Sequence, residues 1–231
     1  MRFALSDNSN RIEATPGARG TCPGCGAVMT ARCGTKKVWH WAHKGRDHCD
    51  HWWENETEWH RAWKNQFQTD WQEVPARDEA GELHIADIKT PSGLVVEFQH
   101  SAIKPDEVAK RSMFYGSVIW IVDGGRRPTD RTQYERMLAS NYPQRFDGVD
   151  IYTVYYRETR LLQEWGSLGR IIGFDFGGEN ICLLTAAQNM SRYLHHFPKS
   201  EFVRLISNGE PLPKVQFQQP RQRGLRRRRR L

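Results

Sequence analysis

Glu56, Asp87, Glu97 and Gln99 have the types and spacing to hold a divalent cation. Asp87 lies in Ala86-Asp87-Ile88 and Glu97 in Val95-Val96-Glu97-Phe98-Gln99, so both carboxylates sit among apolar residues. An unpaired charge there is expensive, and two acids on neighbouring strands repel unless a cation lies between them. Glu97 and Gln99, two apart on a strand, point to one face. Glu56, His60 and Lys64 recur at i, i+4 and i+8, which on a helix makes one polar face opposite Trp59, Trp63 and Phe67. Alone, that face reads more readily as a solvated ion-pair stripe.

A second group is rich in sulfur and imidazole. Cys22-Pro23-Gly24-Cys25 is a tight knuckle, and His40-Trp41-Ala42-His43 follows after fourteen intervening residues. Cys22, Cys25, His40 and His43 would suit tetrahedral Zn²⁺, with Cys33, His48, Cys49 and His51 as competing ligands. A closed four-ligand set leaves no position for water, so this zinc is expected to be structural and coupled to folding.

These residues need elements to position them. Trp53 to Gln72 reads as a helix with Trp59, Trp63 and Phe67 facing the core. Leu83 to Thr90 and Leu94 to Gln99 read as strands around the turn Pro91-Ser92-Gly93. Pro105 opens a helix to Tyr115, and Ser117 to Val122 is an apolar run suited to a buried strand. A helix near Arg131 to Ser140 and a strand Asp150 to Tyr156 follow. Further on, a hairpin is expected over Ile171 to Phe176 and Ile181 to Thr185, then helices near Ala187 to His196 and Lys199 to Ser207. The order implies an α/β fold with a mixed sheet flanked by helices and a small N-terminal zinc-ribbon-like module. The expected divisions are 1–50, 51–160, a C-terminal α/β extension over 161–210, and a disordered Arg-rich tail over 211–231. Register makes a demand: Asp87 and Glu97 share a face only if the connection between their strands is odd in length or a bulge intervenes.

The Cys22/Cys25 and His40/His43 pairs, the Glu56/His60/Lys64 segment, Ala86-Asp87, Glu97-Phe98-Gln99-His100-Ser101, and Arg111 to Tyr115 before Ile119 to Asp123 together resemble the competence protein CoiA-like family. The resemblance covers roughly residues 1 to 125, with the motifs in matching order. It implies a zinc-binding N-terminal segment and a restriction-endonuclease-like nuclease domain of the PD-(D/E)xK superfamily. On that pattern Glu56 is the helix acid, and Asp87 and Glu97 are the principal Mg²⁺ or Mn²⁺ ligands, joined by the Phe98 carbonyl. Where the superfamily has a lysine this chain has Gln99, which leaves Lys64 and Lys89 as candidates for a migrated cation and His60 as a candidate base. The expected activity is metal-dependent hydrolysis of DNA. The alternative is a non-catalytic, zinc-containing DNA-binding accessory protein.

Charge agrees only in part. The formal net charge is +7, yet Arg221, Arg223 and Arg226 to Arg230 supply seven positive charges, so the body carries none net. Arg226, Arg227 and Arg228 are expected to meet DNA through sequence-independent counterion release. Ser101, Arg111 and Tyr115 are expected near a phosphate, although Arg111 and Tyr115 equally suit a helix–sheet packing contact. No apolar run reaches the roughly 20 residues that cross a bilayer, and Met1 to Leu5 do not continue into a signal-peptide core. A cytoplasmic protein without membrane contact is expected.

Overall fold

Runs of β-branched and aromatic residues, interrupted by Gly, Pro and Asp clusters, dispose this chain toward many short strands. A computed structural model describes residues 1–44, 49–52, 54–186 and 191–213. The N-terminal strands β1 (Phe3–Leu5), β2 (Arg11–Glu13), β3 (Arg19–Thr21), β4 (Val28–Arg32) and β5 (His40–His43) form an antiparallel sheet in the order β2-β1-β3-β4-β5. Helix α1 (Glu58–Lys64) and a 3-10 turn (Thr69–Trp71) lead to β6 (Gln72–Arg77), β7 (Leu83–Lys89) and β8 (Val95–Gln99). Then come α2 (Pro105–Tyr115), β9 (Val118–Asp123), α3 (Pro128–Ser140), β10 (Gln144–Phe146), β11 (Val149–Tyr155) and α4 (Arg160–Trp165). The last elements are β12 (Ile172–Asp175), β13 (Asn180–Ala186), β14 (Ser191–Pro198) and α5 (Lys199–Asn208).

Strands β6 to β14 build one mixed sheet in the order β10-β11-β14-β13-β12-β9-β8-β7-β6, with β8·β9 and β9·β12 parallel. Val108 of α2, Tyr134 and Met137 of α3, and Leu161 and Trp165 of α4 pack on one face against Trp120, Phe174 and Leu194. Trp63 of α1 and Phe202 and Leu205 of α5 pack on the other, against Val96, Phe98, Ile121 and Leu183. Buried Asp175 holds α1 in place. Its Oδ2 accepts from the indole N–H of Trp59 at 3.0 Å and Trp63 at 2.8 Å, while Oδ1 pairs with Lys199 at 2.7 Å.

Three expectations need correction. The helix expected over Trp53 to Gln72 is confined to Glu58–Lys64. Thr57 and His60 close a capping box at its start, and the Gln72 side-chain amide donates to Lys64 O and Phe67 O, both at 2.9 Å, satisfying carbonyls at its end. The helix expected near Ala187 to His196 is instead strand β14 from Ser191 on, residues 187–190 lying outside those described. Pairing to β11 and β13 on both sides outweighs the helical spacing of Leu194 and Phe197. Finally, the stretch set apart at 161–210 supplies β12, β13 and β14 to the same sheet. No helix among the described residues is long and apolar enough to cross a membrane.

Candidate functional site

The strand pairing converges on three acids. Lys89 pairs with Val95 and Ile88 with Val96, so the connection Thr90 to Leu94 is five residues long, and Asp87 comes level with Glu97. The odd connection that the shared face demands is therefore present. Gly93 at φ 84° makes its turn, a conformation that side chains disfavour. On the other side, Gln72 pairs with Ile88 and Val74 with Ala86, which brings Glu73 level with Asp87. Glu73, Asp87 and Glu97 thus lie in one row across β6, β7 and β8. Side chains enter the ladder here: the Asp87 amide donates to Glu97 Oε1 at 3.2 Å, and the Phe98 amide to Asp87 Oδ2 at 3.0 Å.

One ammonium faces this row. Lys64 Nζ lies 2.9 Å from Glu73 Oε1, 3.1 Å from Glu56 Oε1 and 3.6 Å from Asp87 Oδ1, and the residue is 3% exposed. Burial disfavours its charge, but Glu73, Glu56 and Asp87 outweigh that and raise its pKa, so Lys64 stays protonated. Burial pushes the Asp87 carboxyl above its ordinary range despite Lys64 and His60. Burial first, and the Asp87 charge second, push Glu97 well above it, against the pull of Arg111. Glu56 lies just before the helix rather than on it, yet still reaches Lys64 and, at 3.4 Å, Arg61. Both Glu56 carboxylate oxygens are buried without a hydrogen bond among the described residues. Two acids whose charge is disfavoured by burial, beside a carboxylate short of donors, fit an added cation.

Glu73 and Glu54 were not anticipated. Glu73 adopts φ 48°, rare for a side-chain-bearing residue. It is held there by the Arg2 amide at 2.8 Å, the Phe3 amide at 3.0 Å and Lys64, which ties β1 to the edge of the large sheet. Burial works against the Glu73 charge, but Lys64, the chain N-terminus and these amides bring its pKa down to about 2. Replacing Lys64 with Met would leave three acids facing one another, and thermal or urea unfolding should show a loss of about 3–5 kcal/mol. Because the Glu73 pKa is depressed in the folded state, its contribution is present above its ordinary value of 4.5 and is lost as pH falls toward about 2. Glu73→Gln should flatten acid unfolding in that window.

Gln99 is buried, its amide donating to Glu54 Oε2 at 3.0 Å and Ser101 O at 3.1 Å. Glu54 also takes the Ser101 amide and lies 3.7 Å from His60 Nε2. Burial opposes its charge, but the His60 and Ser101 bonds bring its pKa below the ordinary value. Arg111 pairs with Glu107 and lies over the Trp52 ring at 5.3 Å, while Tyr115 meets the same ring edge-on. Arg111 lines the acidic cavity; Ser101, Tyr115 and Lys89 do not. Arg226, Arg227 and Arg228 lie outside the described residues.

The metal-ligand atoms of Cys22, Cys25, His43 and Cys49 lie within 4.8 Å of one another, the one such group of three or more among the described residues. Cys22 Sγ is 3.6 Å from Cys49 Sγ, and Cys25 Sγ is 3.4 Å from His43 Nε2. Tetrahedral ligands at ~2.3 Å from zinc stand ~3.8 Å apart, so the cluster is compatible with structural Zn²⁺. The Gly24 amide donates to Cys22 Sγ at 3.4 Å, and Gly26 turns the knuckle at φ 74°. His40, expected as a ligand, is absent from the cluster. His40 and His43 lie three apart on β5 and so project to opposite faces, and the His40 ring bonds Val38 O at 2.8 Å instead. Cys33 and His51 also lie outside the cluster, and His48 is not among the described residues.

The two centres adjoin. Asp50, next to Cys49, accepts from the Ile85 amide at 2.9 Å and pairs with buried His84 at 2.7 Å, both on β7 two or three residues from Asp87. A cavity of about 80 Å³ between them is lined by Met29, Trp41 and His43 from the module and by Glu56, Asp87 and Glu97 below. No curated protein and no solved structure matches the chain. Residues 8–51 match the family model described as competence protein CoiA, N-terminal domain. That match is confined to the N-terminal segment, which carries all four residues of the Cys₃His cluster.

Proposed function

We propose that the chain is a divalent-metal-dependent nuclease that hydrolyses DNA phosphodiester bonds in a competence-related role. The observation that carries this reading is the close approach of Asp87 and Glu97, the Asp87 amide on Glu97 Oε1 at 3.2 Å, beside a buried ammonium. Asp87, Glu97 and the Phe98 carbonyl would hold Mg²⁺ or Mn²⁺, with Glu56 at the margin. Bound there, such an ion polarises a phosphodiester and lowers the pKa of a water. Lys64, kept protonated, stabilises developing phosphate charge and cannot accept the water's proton. It stands in for the lysine that Gln99 replaces. Gln99 does not line the cavity; its amide holds Glu54, which does, and so acts as a positioning residue. The restriction-endonuclease-like reading of the mixed sheet belongs to the same proposal.

The test is incubation of single- and double-stranded DNA with purified protein and Mn²⁺ or Mg²⁺. Cleavage that requires the metal and disappears in Asp87→Asn is the expected result. Equal cleavage by wild type and variant would remove the assignment. A second reading, a zinc-containing DNA-binding accessory protein without turnover, is favoured by the fact that Lys64 already faces three of the acids. Calorimetric titration separates the two, because the accessory protein would bind DNA but not Mn²⁺ at Asp87.

A further inference from the structure

The loop from Cys33 to Trp39, joining β4 to β5, separates two open grooves. One is lined by Arg32, Lys36, Lys37 and His40 and has no acidic residue. The other is lined by Lys36, Lys37, Trp39, Arg61 and Glu56, and Glu56 also borders the acidic cavity. Two further acids line this second groove: Glu13 is paired with Arg2 at 2.7 Å, and Glu58 occupies the first turn of α1. Neither lysine is in an ion pair among the described residues; Lys37 donates to the Asn55 side chain at 3.1 Å. Trp39 is 44% exposed, with its indole N–H on Gly34 O at 3.2 Å and its ring left to solvent. A large aromatic face beside two cations that are in no ion pair among the described residues is the composition that single strands use, phosphates on the cations and a base on the ring.

We propose that this loop is a platform for single-stranded DNA, with Lys36 and Lys37 on the phosphates and Trp39 stacked on a base, delivering the strand past Glu56 to the acidic row. The proposal rests on the nuclease reading and names its substrate. Access decides for one strand over two. The acidic cavity lies under the module, lined by Met29 and Trp41 above and by Glu56, Asp87 and Glu97 below, so a phosphate must be turned inward to reach it while sugar and base stay in the groove. An extended strand can turn one phosphate inward. A duplex, stiff over ~150 base pairs, keeps its phosphates on the outside of a cylinder that the module holds away.

The experiment measures anisotropy of fluorescein-labelled oligothymidylate and of a duplex of equal length, with full-length protein at physiological ionic strength and no added Mg²⁺ or Mn²⁺. The Arg-rich C-terminal segment is common to every variant, so differences report the loop. Lys36→Glu/Lys37→Glu should weaken oligothymidylate binding about tenfold or more, and Trp39→Ala about fivefold or more. Trp39→Phe should retain most of the affinity, because it keeps the ring while losing the bond to Gly34 that Trp39→Ala also loses. Unchanged affinity in the charge-reversed and Ala variants, or a duplex bound more tightly than the single strand and equally sensitive to them, overturns the platform. Loop-dependent binding without any cleavage would sink the nuclease reading and leave the platform standing. Cleavage indifferent to the loop would do the reverse.

Discussion

Asp87→Asn should abolish metal-dependent DNA cleavage while leaving the metal-free protein as stable as wild type or more so. The loss expected is on the order of a thousandfold, since a principal metal ligand beside the reacting phosphate is removed. The stability half follows from the site's electrostatics. Burial holds the Asp87 and Glu97 carboxyls above their ordinary pKa values, so the fold binds protons there more tightly than the unfolded chain does. Such a group favours the fold most at low pH, and its contribution fades as pH rises from the unfolded range near ~4 through the folded value. Asparagine keeps the shape and the acceptor for the Phe98 amide but has no charge to bury. Melting curves taken upward from about pH 4, without added divalent metal, should therefore show wild type losing stability with rising pH more steeply than Asp87→Asn. Added Mn²⁺ should raise the wild-type curve, most at the high-pH end, and leave the variant's unmoved. A variant that is inactive and also much less stable at neutral pH would mean that Asp87 is chiefly a structural partner of Lys64.

The same electrostatics separate what could be read along the chain from what could not. Asp87 and Glu97 stand out because each interrupts an apolar strand, and the need for a shared face anticipates the five-residue connection between β7 and β8. Lys64 was within reach, since its spacing from Glu56 and His60 marks it, although Glu56 acts from before the helix. Glu73 was hidden. It follows a segment rich in helical spacing, and its left-handed backbone arises from long-range bonds to Arg2 and Phe3 that no local pattern encodes. Pro75 was the available clue, because proline in a strand marks an edge, and β6 is the edge of the large sheet. Glu54, between Trp52 and Asn55, has no periodicity to announce it; only the folded chain brings it to Gln99 and His60. The mixed sheet was anticipated as a class, but its width was not, because β14 enters between β11 and β13 from far along the chain.

Loss of zinc should disable the acidic row as well as the module. His43→Ala and Cys49→Ser should each empty the Cys₃His site, whereas His40→Ala should retain one zinc per chain by elemental analysis; the His40/His43 spacing alone would have both histidines essential. The reason is the strand: alternation turns His40 away from the cluster, and Cys49, brought back from beyond β5, completes it. Apparent zinc affinities of structural sites amount to about 10–16 kcal/mol, more than the small core around Met29 and Trp41 supplies by itself, so chelation should melt the module. The effect should travel. Cys49 is followed by Asp50, which holds the Ile85 amide and His84 on β7, and Met1 and Phe3 belong to the strand end whose amides fix Glu73. A melted module releases both ends of the acidic row and removes the roof over Lys64. Hydrogen exchange on zinc-stripped protein should then show lost protection at Ile85 and Phe98 while β12 and β13, at the centre of the large sheet, stay protected. Protection at Ile85 and Phe98 that survives zinc removal would mean that the two centres share a boundary but no mechanical coupling, and that the nuclease site stands without its roof.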